Sequence, residues 1–230
     1  MNKISYGQLL NEWKKFLINE DSDSLEINSQ IYKAIEKTKE FKNQLLKIKI
    51  ENEGNEYFLI ADFVSKNNTE DSLEELAHIM FRKFPHSQIK DREGKIRNAY
   101  IIEYTKFVKY NLGPLMYDLI IEFASNDNSF LCSDRFEISN EAQNLWQNYL
   151  NRRSDVETVQ LDIENENLDI EEFPNLTPDW RDDFYQNTSI KDKGKKWFES
   201  PFSKGYYKNN MSVVDNLRKN KLFVIDIPGT

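Results

Sequence analysis

The sequence predicts an α+β fold, a mixed central sheet flanked by helices, with helical N-terminal and irregular C-terminal additions. Three observations predict it. Apolar runs at residues 45–50 and 57–64 flank Glu53-Gly54-Asn55, the pattern of an antiparallel hairpin. A strand-like run at residues 99–107 enters a short Asn/Gly loop, after which Leu115, Met116, Leu119, Ile120, Phe123 and Ala124 recur at helical spacing. A short apolar run at residues 130–133 is then followed by a further helical pattern at residues 139–150. Antiparallel strands, a helix, more strands and two further helices fit a mixed sheet.

Taken in order, residues 6–18 read as a helix with Leu9, Leu10, Trp13, Phe16 and Leu17 on its apolar side, and residues 21–24 are a polar break. Residues 31–46 suggest a second helix before the hairpin. Residues 72–84 read as a helix in which Leu73, Leu76, Ala77, Met80, Phe81 and Phe84 form one stripe. Ser72 and Glu75 then have the spacing of a capping box. In the helix after the Asn/Gly loop, Pro114 suits the first turn, where its missing N–H costs nothing, and Asp118, Ile121 and Glu122 fall on other faces. No internal repeat is present.

Composition narrows the class. Hydrophobic residues make up 39% of the 230 and aromatics 13%, enough for a real core despite a mean hydropathy of −0.74. A net charge of −8 argues against nonspecific polyanion binding by the whole chain. The single cysteine, Cys132, excludes an intrachain disulfide, favours a reducing compartment, and reads as a small buried hydrophobe. The start is too polar for a signal peptide and no apolar run is long enough for a membrane span. A cytoplasmic protein with no membrane partner is expected. His78 on a helix and His86 after Pro85 in a loop have no Ser, Cys or ligand partner by spacing, so neither a hydrolytic triad nor a metal site is expected. Asp182 and Asp183 lack the His/Cys/carboxylate spacing of a metal centre.

The loop at residues 109–114 is where the sequence points at chemistry. The first N–H groups of a helix lack internal partners and its dipole favours negative charge, so strand, tight loop and helix start together suit an anionic ligand. Gly113 permits a close backbone approach or a positive φ, and Asn111 tolerates that region. An ordinary strand–loop–helix connection with no ligand has the same local pattern.

Residues 111–117 resemble the acyl-CoA pyrophosphate loop of the GNAT (GCN5-related) N-acetyltransferases, whose pattern is Q/R-x-x-G-x-G/A before an apolar helix. Asn111 stands at the first glycine, Gly113 at the second, and Val108 where Gln or Arg is usual. Residues 139–150 resemble that family's N-x-x-A-x-x-L-Y helix, with Trp146 at the tyrosine position and Tyr149 one turn away. The likeness covers residues 57–160. A longer pattern resembles phage-encoded GNAT-like proteins: residues 113–118, Ser133-Asp134-Arg135, residues 146–156 and residues 200–204. Ser133-Asp134-Arg135 either lines the cleft where such sheets open or forms a turn with an Asp–Arg pair.

The resemblance implies a GNAT-like sheet and an acyltransferase moving an acyl group, in the first instance acetyl, from acyl-CoA to an amine acceptor. It implies acetyl-CoA or another acyl-CoA as cofactor, with the pyrophosphate held by Asn111, Leu112, Gly113, Pro114 and Leu115. The strand carrying Tyr100 and Tyr104 would part from its neighbour and bond the pantetheine arm. It implies Glu103 as general base. Trp146 has no useful acidic proton, so Tyr149 and Tyr117 are the candidates for a general acid. The alternative is a non-catalytic phage accessory or anti-defence protein, binding a host protein or nucleic acid on a GNAT-like scaffold in the bacterial host cytoplasm.

Charge then divides the C-terminal part. Residues 154–183 hold eleven acidic residues and one base, Arg181, whereas residues 189–221 hold nine Lys/Arg against three acids. The expected organisation is an N-terminal helical region and hairpin start over 1–56 and an acyl-CoA-binding core over 57–160. An acidic insertion or linker over 161–188 and a basic, aromatic-rich segment over 189–230 packed on the core would follow. Trp197, Phe198, Tyr206 and Tyr207, interleaved with the basic residues, would alternatively serve nucleic acid by stacking and phosphate pairing.

Overall fold

The computed structural model describes residues 44–90, 96–133, 138–160 and 199–228, with side chains described except at 84–90, 96 and 97. The helix expected at 6–18, most of that at 31–46, Asp134, Arg135, the insertion at 161–188, Trp197 and Phe198 lie outside them.

One eight-stranded mixed sheet organises the described residues. β1 (Gln44–Glu53) and β2 (Glu56–Ser65) form the expected hairpin about Gly54, whose φ of 70° only glycine takes freely. Residues 45 and 46, which the sequence reading gave to both the helix and the first hairpin strand, belong to β1, as does Gln44. β3 (Asn68–Lys90) and β4 (Ile96–Val108) extend the antiparallel series. α1 (Gly113–Asn126) then crosses to β5 (Ser129–Cys132), which runs parallel to β4. α2 (Asn140–Arg152), capped by the Ser139 hydroxyl on the Ala142 N–H, leads to β6 (Glu157–Gln160). A short 3₁₀ turn (Pro201–Ser203), β7 (Lys204–Tyr207), α3 (Ser212–Lys219) and β8 (Phe223–Asp226) complete the order β6-β7-β5-β4-β3-β2-β1-β8.

The helix expected over residues 72–84 is instead part of β3, and His78 and His86 fall in that strand. The reason lies in its pairing with β2. Ala77 pairs with Ala61 and Glu75 with Asp62, leaving Leu76 as an extra residue, and Leu73 is extra in the same way between Glu74–Phe63 and Ser72–Val64. A bulge sets two successive side chains against one partner and breaks alternation. Leu76 and Ala77 are consequently both buried, which mimics helical spacing. Beyond them strict alternation returns, with Ala77, Ile79 and Phe81 buried. The Ser72 hydroxyl donates to the Asp62 carboxylate at 3.0 Å rather than capping a helix.

One core joins alternate strand residues such as Ile48, Leu59, Phe81, Tyr100 and Leu131 to Leu119 and Phe123 of α1, Trp146 of α2 and Val213 of α3. Ala99, Ile101, Phe130, Cys132, Val159 and Tyr207 form a smaller cluster on the other face. β7 threads between β5 and β6 there, and a Cβ on Gly205 would collide with the Phe130 ring. Gly205→Ala is therefore expected to cost about 1–3 kcal/mol by overpacking, read as a lowered denaturant midpoint at unchanged m-value.

Candidate functional site

β4 and β5 pair only from Asn98–Ser129 to Ile101–Cys132. β5 ends there, and β4 continues for seven residues along β3, with no other strand of the described residues paired to its far edge. Two bulges lie in this part of β4. Glu103 is extra between the Phe81–Ile102 and Met80–Tyr104 pairs, and Lys106 between Ile79–Thr105 and His78–Phe107. Bulges bend and twist a strand, here in the part of β4 that runs on past the end of β5.

This part of β4 delivers the chain into the expected loop. Tyr110 and Asn111 both take left-handed backbone, φ 56° and 57°, and Leu112 returns to the right-handed helical region. Such a reversal turns successive N–H groups toward a common concavity, a geometry suited to anions. Gly113 does not need positive φ, contrary to one of its two expected uses; the left-handed positions are the two residues before Leu112. A Cβ on Gly113 would meet nothing within 4 Å. Space outside the backbone, rather than conformation, distinguishes this glycine. Pro114 occupies the first turn as expected, and no side chain caps the helix.

The candidate site residues fall into distinct settings. Glu103 sits on the part of β4 that outruns β5, two residues past the last β5 pair, and its carboxylate meets the Arg82 guanidinium at 2.5 Å. Tyr117, in the second turn of α1, is 7% exposed and shares a 3.2 Å hydrogen bond with the exposed Thr105 hydroxyl on the same part of β4. Tyr149 is wholly enclosed, donates to the Pro114 carbonyl at 3.3 Å, and is pushed up from the usual phenol range by burial and by the Asp118 charge. Trp146 packs between them, its ring 5.6 Å from Tyr117, 5.7 Å from Tyr149 and 4.9 Å from Tyr206. Tyr117, Trp146 and Tyr149 thus form one aromatic group against the start of α1.

Sequence reasoning missed what lies behind that helix. Asp118 and Glu122, assigned only to other faces of α1, are fully buried. Arg153 holds Asp118 with two bonds of 3.2 Å and Asp155 with bonds of 2.6 and 2.8 Å. The Lys208 ammonium lies 3.5 Å from Asp118, 3.3 Å from Glu122 and 3.3 Å from Asp155. Glu122 also accepts the Val213 and Val214 N–H groups at 2.9 Å each, capping α3 from α1. Burial disfavours the Lys208 charge, yet the three carboxylates outweigh it and hold its pKa above the usual lysine value. Burial also raises Glu122, against Lys208 and the two N–H donors, while Asp155 is held low because Arg153 and Lys208 outweigh its own burial. The available signal was two acids four residues apart on an otherwise apolar helix.

Tyr206 and Tyr207, offered by sequence as stacking residues, and Lys208 of the basic segment are all buried. Tyr206 donates to the Pro201 carbonyl and Tyr207 to Glu157, so these rings serve packing. Among the described residues no helix is long and apolar enough to cross a membrane. No family model, curated protein or solved structure matches this chain.

Proposed function

We propose that the protein is a GNAT-type N-acyltransferase that moves an acyl group from acyl-CoA to an amine. The observation that carries this reading is that β4 runs on past the end of its parallel neighbour β5 and then enters a helix start led by Gly113 that no side chain caps. A free strand edge offers alternating N–H and C=O groups to an extended amide chain. The first turn of the helix offers N–H groups to phosphate, whereas the Leu112 N–H before it is already bonded to the Lys109 carbonyl. The two lie in series along one stretch of backbone, as a ligand with a pyrophosphate and an amide-bearing arm requires. The open space outside Gly113 is where such a pyrophosphate would approach.

Acyl-CoA, when bound, supplies an activated thioester carbonyl and a thiol leaving group. Glu103 would accept the proton of the acceptor ammonium, directly or through water, its carboxylate oriented by Arg82. Tyr117 would return a proton to the departing sulfur. Tyr206, Tyr207 and Lys208, three of the residues on which the nucleic-acid alternative drew, are buried.

Gly113 tests the reading. With room for a side chain and no positive φ, Gly113→Ala should leave the unliganded melting temperature unchanged or slightly raised. The bulky Gly113→Trp should fill the anion approach. In titrations with acetyl-CoA, the wild type should be stabilised, Gly113→Ala less so, and Gly113→Trp not at all. A folded wild type that gains no stability from acetyl-CoA or CoA would defeat the proposal.

A further inference from the structure

Tyr117 and Thr105 join a buried phenol to an exposed hydroxyl. The Tyr117 ring stands edge-on to Trp146 at 5.6 Å, within the aromatic group that packs against α1. Thr105 pairs with Ile79 of β3, so it stands on the face of the sheet that α1 covers. It is nevertheless exposed, in the part of β4 that runs on past β5. The two hydroxyl oxygens are 3.2 Å apart, and either can be the donor. Threonine is stiff about χ1, so its oxygen is held in place at little cost in freedom. A hydroxyl carries one hydrogen and two lone pairs, so Thr105 can accept from a neutral phenol and donate to a phenolate by rotation alone. Tyr149 lacks such a partner for its bond to Pro114, since a carbonyl has no hydrogen to return.

We infer that Thr105 is a positioning residue that holds the Tyr117 hydroxyl and links it to solvent, returning the proton that Tyr117 gives up. This role rests on the acyltransferase reading and adds to it the route by which the acid is restored. In the transfer the phenol O–H breaks as the S–H of CoA forms, leaving a phenolate in a nearly enclosed place. The phenolate takes the hydrogen of the Thr105 hydroxyl, while Thr105 takes one from a water molecule, which departs as hydroxide. An ammonium that becomes an amide loses two protons. One neutralises that hydroxide and the other is released to water, so the cycle closes with Tyr117 and Thr105 unchanged. The exposure of Thr105 is what this step needs, because the phenol itself is only 7% exposed.

Two measurements test it. Exchange of the Tyr117 hydroxyl hydrogen with solvent can be read by NMR of protein labelled with carbon-13 at tyrosine Cζ, whose shift differs between O–H and O–D. Thr105→Val keeps the shape and the strand preference but removes the hydroxyl, and Thr105→Ser keeps the hydroxyl. The valine variant should slow exchange by about tenfold, the scale of one hydrogen bond, and the serine variant should restore it. In release of CoA thiol from acetyl-CoA with a lysine peptide, Thr105→Val should lower kcat by about tenfold and leave the KM for acetyl-CoA unchanged. In a Tyr117→Phe background the same substitution should cost nothing further, since no phenol remains to be restored. Unchanged exchange in Thr105→Val, or an equal loss of turnover with and without Tyr117, would overturn the role of Thr105 while leaving the transferase reading in place. A wild type that neither binds acetyl-CoA nor releases thiol from it would overturn both.

Discussion

Lys208→Met is expected to destabilise the protein by about 3–5 kcal/mol, the scale for removing one partner from a buried ionic cluster. Its ammonium is enclosed with Asp118, Glu122 and Asp155, and Arg153 is the other cation in the group. Methionine fills the volume but leaves three carboxylates facing one guanidinium in a site from which water is excluded. The loss reaches beyond the contact, because Glu122 joins α1 to α3 and the Lys208 N–H donates to the Ser125 hydroxyl on α1. Chemical denaturation should show the reduced midpoint.

The pH dependence carries a sign that separates this account from simple loss of packing. Lys208 has a folded pKa above its ordinary 10.5, so its contribution is complete below that value and disappears as pH rises through the folded one. Asp155 has a folded pKa below its ordinary 3.8, so its contribution is present above that value and disappears as pH falls through the folded one. Glu122, raised from 4.5, acts oppositely: its contribution is present below 4.5 and is lost as pH rises through its folded pKa. Removing Lys208 raises the folded pKa values of the carboxylates it faced. The variant's deficit should consequently be largest near neutrality and shrink on acidification toward pH 4, where protonation replaces the missing cation. A deficit independent of pH would mean that packing alone had been lost.

The parts legible in the sequence were those set by local pattern. The hairpin about Gly54, the strand–loop–helix unit through Pro114 and the helix capped by Ser139 each follow from neighbours within a few residues. The error at residues 72–84 came from bulges at Leu73 and Leu76, which exist because β2 lies alongside. No periodicity within one strand encodes its partner's register. The buried charges were hidden for a related reason. Asp118, Arg153 and Lys208 are far apart in sequence, and each alone resembles an ordinary surface residue. The candidate site was legible as a loop, but not the length of β4 left beyond β5, since that depends on where pairing stops.

Tyr117→Phe is expected to reduce acyl transfer by about 10²-fold or more while leaving donor affinity nearly unchanged, the signature of a lost proton donor. Tyr149→Phe should behave differently. The Tyr149 hydroxyl is enclosed and engaged with the Pro114 carbonyl, so it fastens α2 to the start of α1. Its removal should cost about 1 kcal/mol of stability and weaken donor binding through the displaced loop. Tyr117 instead meets the exposed Thr105 on the part of β4 that outruns β5. Burial raises the Tyr149 phenol, which keeps its proton but makes it a poorer acid. The measurement is release of CoA thiol with a model primary amine, together with acetyl-CoA titration of each variant. Equal turnover by Tyr117→Phe and wild type would remove Tyr117 from the chemistry, and the proton would then have to reach the sulfur from water.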